Sequence, residues 1–238
     1  MAHLGFMFDL RIWSATQSLS VMNMLAEQTE SNILSAIDQI TENEAIEEQV
    51  FEDEDTDQNG QAFQIRHTYY SFGPVSASDR EDVIVEYSYL ITQLMRRSAY
   101  LTIFGLFEAR LNKILDMFEN ATGKSSGHRK PIEDSQKLLD ATFKDPKVES
   151  LNHLMVIRNI CAHSDGLAEN YNDMLEGNFK IEPKDRRILK AIERTNCNGI
   201  NINFMNAISI DHSFLPYAIS EFERYLVHME LLGKHNFE

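Results

Sequence analysis

One short stretch of the chain places polar, chemically capable side chains inside an otherwise apolar helical pattern. Arg158, Asn159 and His163 stand among Leu151, Leu154, Met155, Val156, Ile157 and Ile160. Arginine is almost never fully buried without a partner, because removing its charge from water is costly. This turn therefore either faces a cleft or meets an acidic side chain.

The spacing of these residues suits phosphodiester chemistry. On an α-helix, Asn159 and His163 are four residues apart and share a face, so the amide can orient the imidazole. Arg158 is about 7.5 Å from His163 along the axis, a gap that a long side chain can narrow. A histidine can transfer a proton to or from a ribose hydroxyl or a leaving oxygen, and an arginine can stabilise the charge on phosphorus-bound oxygens.

Helical periodicity dominates the rest of the sequence. Apolar residues recur at helical spacing over 12–50, 78–120, 131–143, 146–163, 184–195 and 213–232, and a short extended ribbon is expected near 200–210. Ser78 and Glu81 fit a capping box at the start of the second of these helices. These patterns predict an all-α helical bundle with an N-terminal helical extension and at most a short β-ribbon. We expect two domains, residues 1–75 and 76–238.

An acidic segment interrupts the N-terminal part. No lysine or arginine occurs between Arg11 and Arg66, and residues 41–60 carry nine Asp or Glu side chains. The simplest interpretation is a solvated loop that ends at Asp57-Gln58-Asn59-Gly60. A docking site for a basic partner, or an electrostatic guard that repels RNA, are the alternatives.

Composition limits the classes of function. The net charge of −15 opposes a broad phosphate-binding surface, so any contact with nucleic acid must be local. Cys161 and Cys197 are too few for a disulfide framework or a thiolate metal cluster, and the histidines show no metal-ligand spacing, so we expect no metal or cofactor. No apolar run is long enough to span a bilayer and no secretion signal is evident, which predicts a cytoplasmic protein without membrane contact.

The stretch Arg158-Asn159-Ile160-Cys161-Ala162-His163 resembles the Arg-x4–6-His motif of HEPN endoribonucleases. The resemblance covers roughly residues 78–235, including the stretch 106–111 that is similar to the long helix packed behind the motif. It implies an enzyme that cleaves intracellular RNA without metal, leaving a cyclic phosphate and a 5′-hydroxyl. It further implies a homodimer with a composite site, in a toxin–antitoxin or phage-defence setting in which an antitoxin or regulatory protein is a possible partner.

Carried onto this chain, the resemblance makes Arg158 and His163 catalytic and Asn159 supporting. Glu108, a charged residue in a strongly apolar stretch, is the candidate acidic partner of Arg158, although a purely structural ion pair is equally compatible with its position. Substrate-binding residues are not indicated.

Other functions remain open from the sequence. A non-catalytic HEPN-like interaction module that binds a partner protein or a nucleotide fits the acidic composition better than an RNA-binding enzyme. A purely structural helical subunit of a larger complex is a third hypothesis, which predicts a large exposed apolar face. For Arg158 and His163 themselves, the alternative is a salt-bridged arginine and a C-terminal histidine that complete a helix. Cys161 is interpreted as a small core residue and His153 as an ordinary half-buried histidine, with contact to substrate as the alternative. The basic cluster at Lys124, His128, Arg129 and Lys130 is interpreted as a solvated loop or a local phosphate contact.

Overall fold

Seven helices and five strands make up the part of the chain described by the computed structural model, which covers residues 2–42, 45–56, 58, 60–122, 130–142, 150–177 and 181–237. Their order is α1 (Ala2–Thr41), β1 (Glu47–Thr56), β2 (Ala62–Phe72), β3 (Val75–Ala77), α2 (Arg80–Thr122), α3 (Pro131–Thr142), α4 (Asn152–His163), α5 (Tyr171–Leu175), α6 (Pro183–Asn196), β4 (Ile200–Ile202), β5 (Ile208–Ile210) and α7 (Phe214–Phe237).

The chain forms two compact units. The larger unit comprises residues 1–28 and 96–238, and the smaller unit comprises residues 29–95. Helices α1 and α2 each contribute residues to both units. The domain boundary expected at residue 75 therefore falls within the smaller unit.

The prediction of an all-α bundle is wrong, because the smaller unit contains a three-stranded antiparallel sheet in the order β1-β2-β3. Part of the segment expected to be a helix followed by an acidic loop forms β1, which pairs with β2 along its whole length. The register sets Glu52 opposite Arg66, an oppositely charged cross-strand pair. Positions 57 and 59, which belong to the predicted loop signal, lie outside the described residues.

The sheet is held by a small apolar core of its own. Ile40, Ile46, Val75 and Val83 are buried together, and the Phe72 and Tyr87 rings pack edge to face with centroids 4.6 Å apart. The start of α2 also differs from expectation. The Asp79 carboxylate accepts a hydrogen bond from the backbone N–H of Glu81 at 2.7 Å, so Asp79 occupies the capping role predicted for Ser78.

An aromatic core organises the larger unit around α2 and α7. The Phe107 and Phe222 rings stack with centroids 4.0 Å apart, and Tyr100 packs edge to face against Phe214 at 4.8 Å. Offset stacking and edge-to-face packing are the arrangements that aromatic quadrupoles favour. The buried Ser135 and Tyr225 hydroxyls lie 2.8 Å apart and join α3 to α7.

Most predicted elements of the larger unit agree with the structure. Helices α2, α3, α6 and α7 follow the predicted helices to within a few residues, except that α7 extends further towards the C-terminus, and β4 and β5 form the predicted short ribbon. Pro146, expected near the start of the motif helix, lies outside the described residues, and α4 is described from Asn152. In the described part of the chain, no helix combines the length and apolarity required to cross a membrane.

A polar cluster links three helices of the larger unit. The buried His153 on α4 places Nε2 3.0 Å from the Tyr217 hydroxyl and 3.7 Å from Glu221, both on α7. Glu221 also pairs with Arg194 of α6 at 3.2 Å and with Arg224 at 2.8 Å. Burial, together with the nearby charge of Arg194, lowers the pKa of His153 to about 4.

The buried neutral state of His153 predicts a loss of stability in acid. Between pH 6.5, the ordinary pKa of histidine, and about 4, the unfolded chain binds a proton that the folded chain does not, so the free energy of unfolding falls as the pH is lowered. Full titration corresponds to a loss of about 2 to 4 kcal/mol. Urea denaturation from pH 7 to pH 4 should therefore show a steeper loss for the wild type than for His153→Gln.

The exposed His67, on β2 and outside the Glu221 cluster, supplies the matched control for this experiment. The difference in pH dependence between wild type and variant should be larger for His153→Gln than for His67→Gln. Parallel stability profiles for the wild type and His153→Gln would contradict the assignment.

Candidate functional site

The polar motif lies on α4, at the helix end that the sequence predicts. Arg158 is half-buried, whereas Asn159 and His163 are exposed, and His163 is the last residue of the helix. The buried face of α4 consists of His153, Leu154, Ile157, Ile160 and Cys161. This apolar face fixes the helix against the core and leaves the motif at its edge.

The Arg158 guanidinium connects the members of the motif. Its Nη1 donates a hydrogen bond to the Asn159 side-chain oxygen at 3.0 Å and lies 3.5 Å from His163 Nε2. Arginine is only a donor, so a hydrogen bond between them requires an unprotonated Nε2. Asn159 was expected to hold the imidazole. It contacts the guanidinium instead, and the guanidinium contacts the imidazole.

Helix α2 supplies the other contacts of the guanidinium. Arg158 Nη2 lies 4.0 Å from a Glu108 carboxylate oxygen, and Arg158 Cζ lies 5.9 Å from the centroid of the Phe104 ring. The first contact agrees with the predicted Arg158–Glu108 pair, and the second is within the range of a cation–π interaction. Glu108 therefore belongs to the site through its position beside Arg158.

The Glu108 pair leaves the guanidinium available to a ligand. Burial raises the pKa of the Glu108 carboxyl, and the attraction of Arg158 only partly offsets this effect. The side chains of Arg158 and Glu108 are 33% and 26% exposed, so solvent screens the pair. A long, partly screened ion pair is weaker than a short bidentate one, and a phosphate can replace it.

A cleft of about 620 Å³ opens beside the motif. Its walls come from α2, the start of α3, α4, the segment after α4, and α6. The residues that line it include Phe104, Glu108, Lys130, Glu133, Met155, Val156, Arg158, Asn159, Ile160, His163, Leu167, Glu169, Lys184, Asp185, Arg187 and Ile188. Polar and charged side chains outnumber the apolar ones along its walls, and its volume is within the range of small-ligand sites.

Two side chains of α2 position α4. The buried Tyr100 hydroxyl donates a 2.7 Å hydrogen bond to the Leu154 carbonyl, four residues before Arg158. Arg97 donates from Nη1 to the Asp165 carbonyl at 3.0 Å and from Nη2 to the Ile208 carbonyl at 2.8 Å. Arg97 therefore ties the segment immediately after His163 to both α2 and β5.

Other sequence interpretations have clear outcomes here. Burial raises the pKa of the Cys161 thiol to about 11, so this thiol stays protonated at neutral pH and acts as a core side chain. His153 lies on the buried face of α4 itself, where a half-buried position was predicted, and belongs to the Glu221 cluster described above. Of the predicted basic cluster, Lys130 lines the cleft, whereas Lys124, His128 and Arg129 lie outside the described residues.

Sequence reasoning missed the residues that α6 and the middle of α2 bring to this region. Lys184 and Arg187 line the cleft from α6, and Arg97 lies behind the motif. The concentration of basic residues in α6 was a usable signal in a chain this acidic. Nothing local to Arg97 indicated its contacts with residues 165 and 208. Among the described residues, no group of three or more His, Cys, Asp or Glu side chains is arranged to hold a metal ion.

Gly166 is the backbone position at which this arrangement is most sensitive to substitution. Its φ is +78°, and an added Cβ would lie 2.5 Å from Arg97 Cζ. Alanine there must adopt a left-handed conformation and displace the guanidinium from its two carbonyl acceptors. We expect Gly166→Ala to lower the free energy of unfolding by about 2 to 4 kcal/mol, measured by urea denaturation.

Gly177 provides the matched control, since its φ is +75° and an added Cβ would meet no atom within 4 Å. Gly177→Ala should cost only the backbone strain, about 1 to 2 kcal/mol. Equal losses for the two variants would show that Arg97 contributes nothing to the effect.

Comparison of the chain with protein-family models, with curated proteins and with solved structures gives no match. The residues of the cleft and their geometry therefore carry the functional assignment.

Proposed function

We propose that the chain is a HEPN-type, metal-independent endoribonuclease whose catalytic residues are Arg158 and His163. The observation that carries the proposal is the guanidinium Nη1 of Arg158, 3.5 Å from His163 Nε2 at the edge of a cleft of about 620 Å³. A proton acceptor and a fixed cation side by side are the two groups that cleavage of RNA by its own 2′-hydroxyl requires.

The proposed reaction assigns one role to each residue. His163 Nε2 takes the proton of the ribose 2′-hydroxyl while the 2′-oxygen forms a bond to phosphorus. The bond from phosphorus to the 5′-oxygen breaks, and the protonated imidazole of His163 from a second copy of the chain supplies a proton to that leaving oxygen. Arg158 donates hydrogen bonds to the non-bridging oxygens, on which negative charge increases. The products are a 2′,3′-cyclic phosphate and a 5′-hydroxyl.

Asn159 and Glu108 support this assignment as positioning residues. The Asn159 oxygen accepts a hydrogen bond from the same Nη1 that faces His163, so it restricts where the guanidinium can point. Glu108 and Phe104 limit the guanidinium from the side of α2. Because the Glu108 contact is long, phosphate can compete with it for Arg158.

The requirement for two proton-transfer groups favours a homodimer. Among the described residues that line the cleft, His163 is the only histidine, and it can either accept or donate a proton at a given moment. Both His163 and Asn159 are exposed, which leaves them accessible to a second chain. A twofold-symmetric pair would bring a second His163 and a second Arg158 to the same site.

A nucleotide-binding module without catalysis is the second candidate. The cleft volume is within the range of small-ligand sites, and an arginine beside apolar side chains can hold a phosphate and a base. This candidate predicts nucleotide binding without RNA cleavage.

The biological setting we propose for the enzyme is a toxin–antitoxin or phage-defence system, so expression of the active protein should inhibit growth.

Removing either catalytic side chain should abolish cleavage while leaving the fold intact. We expect Arg158→Ala and His163→Ala to lower the rate of RNA cleavage by roughly 100-fold or more, since each loses a transition-state role. The measurement uses purified protein, total RNA and EDTA, with the cut ends mapped for cyclic phosphate. Wild-type cleavage should persist in EDTA.

The exposed Arg186 and His212 provide matched controls outside the cleft. Arg186→Ala and His212→Ala should cleave at the wild-type rate. Unchanged cleavage by His163→Ala, or loss of wild-type cleavage in EDTA, would overturn the proposed mechanism.

A composite site also predicts that activity depends on protein concentration. Cleavage per mole of protein should rise through the concentration range in which sedimentation detects dimer formation, because a single chain has only half of the site. Full activity of a sedimenting monomer would contradict the dimer while leaving the roles of Arg158 and His163 untouched.

A further inference from the structure

Helix α6 is a basic element in an acidic protein. It carries Lys184, Arg186, Arg187, Lys190 and Arg194 against only Asp185 and Glu193, a local charge of +3 in a chain of −15. Phosphate affinity depends on such local concentrations of lysine and arginine. α6 is therefore a place where this chain can approach a polyanion.

Only part of α6 faces the cleft of the proposed active site. Lys184, Arg187 and the apolar Ile188 line it, opposite residues of α4 that include Arg158 and Met155. Arg186 and Lys190 are exposed and do not line the cleft, and Arg194 pairs with Glu221. The basic side chains of α6 thus divide into a cleft-facing pair and an outward-facing pair on the same helix.

Three of the four described carboxylates that line the cleft have a partner, and two of these partners, Arg158 and Lys130, are cations of the same cleft. Glu133 pairs with Lys130 at 3.2 Å, Glu108 faces Arg158, and Asp185 accepts a 2.9 Å hydrogen bond from the Glu182 N–H within the capping box of α6. Glu169 is the remaining acidic side chain that lines the cleft.

The two cleft-facing cations of α6, Lys184 and Arg187, differ from these carboxylates in their contacts. Within the described ranges, no carboxylate forms an ion pair with Lys184 or Arg187, and both side chains are exposed. Their charges are therefore available to an anionic ligand that enters the cleft.

We propose that Lys184 and Arg187 bind phosphates of single-stranded RNA next to the phosphate held at Arg158 and His163. This inference rests on the proposed function and supplies its substrate-binding residues. Apolar side chains on the two walls, Met155 of α4 and Ile188 of α6, offer surfaces against which an unstacked base can pack. The proposal accounts for RNA binding by a protein of net charge −15, because the contacts are confined to one cleft.

The test measures binding separately from cleavage. The probe is a fluorescein-labelled single-stranded RNA with 2′-O-methyl groups, which lacks the attacking hydroxyl and cannot be cut. Fluorescence anisotropy over a salt series should show roughly tenfold weaker binding for the double variant Lys184→Gln/Arg187→Gln. The slope of log affinity against log salt should become shallower by about 1.4, since two phosphate contacts are removed at about 0.7 each.

The outward-facing pair is the matched control. Arg186→Gln/Lys190→Gln makes the same charge change on the same helix and should leave affinity and salt slope within twofold of the wild type. Equal weakening by both double variants would overturn the proposal in favour of a diffuse charge effect. Absence of wild-type binding, or unchanged binding by Lys184→Gln/Arg187→Gln, would also overturn it.

Cleavage of unmodified RNA is assayed in parallel. If the wild type binds RNA through Lys184 and Arg187 but does not cleave unmodified RNA, the binding proposal stands and the proposed nuclease activity is rejected. Cleavage that is unaffected by Lys184→Gln/Arg187→Gln, together with unchanged binding, would retain the nuclease and reject this subsite.

Discussion

The half-buried guanidinium of Arg158 is the constraint around which the site is arranged. Its charge is too costly to bury without compensation, yet each of its contacts is individually weak. One amide oxygen lies at 3.0 Å, an imidazole nitrogen at 3.5 Å, a carboxylate at 4.0 Å and an aromatic ring at 5.9 Å. Together they hold the group in place without neutralising it, which is the state in which an arginine recognises phosphate.

Rigidity beneath the site has a different origin. Tyr100 and Arg97, both on α2, bond to backbone carbonyls before and after the motif, so α4 is fixed at both ends by one neighbouring helix. The left-handed Gly166 lets the chain turn close enough to Arg97 for these bonds to form. Precise placement of a polar site depends on such supporting contacts, which lock the residues that carry it.

The parts of this molecule that could be predicted from the sequence are those determined by local periodicity. The 3.6-residue repeat of apolar side chains predicted α4, the helix that carries Arg158 and His163. Glu108 could be recognised because it is a charged residue in an apolar stretch of α2. Strand β1 was missed because Asp and Glu are disfavoured in strands, and its stability comes from pairing with β2. β2 itself carries an alternating series, Phe63, Ile65, His67 and Tyr69, which is the strand signal that was overlooked.

The basic character of α6 was visible in the sequence, but which of its charges line the cleft could not be predicted from local patterns. Whether Lys184 or Arg186 faces the cleft depends on the rotation of α6 about its own axis when it packs against α4. The two residues have equal charge and are both exposed, so charge and exposure do not distinguish them. The buried stripe of Ala191, Ile192 and Thr195 sets the rotation by facing the core. Lys184 and Arg187 are consequently carried to one side of that stripe, toward the cleft, and Arg186 is carried to the opposite face. The apolar positions of α6 thus decide which of its charges can reach a ligand beside Arg158.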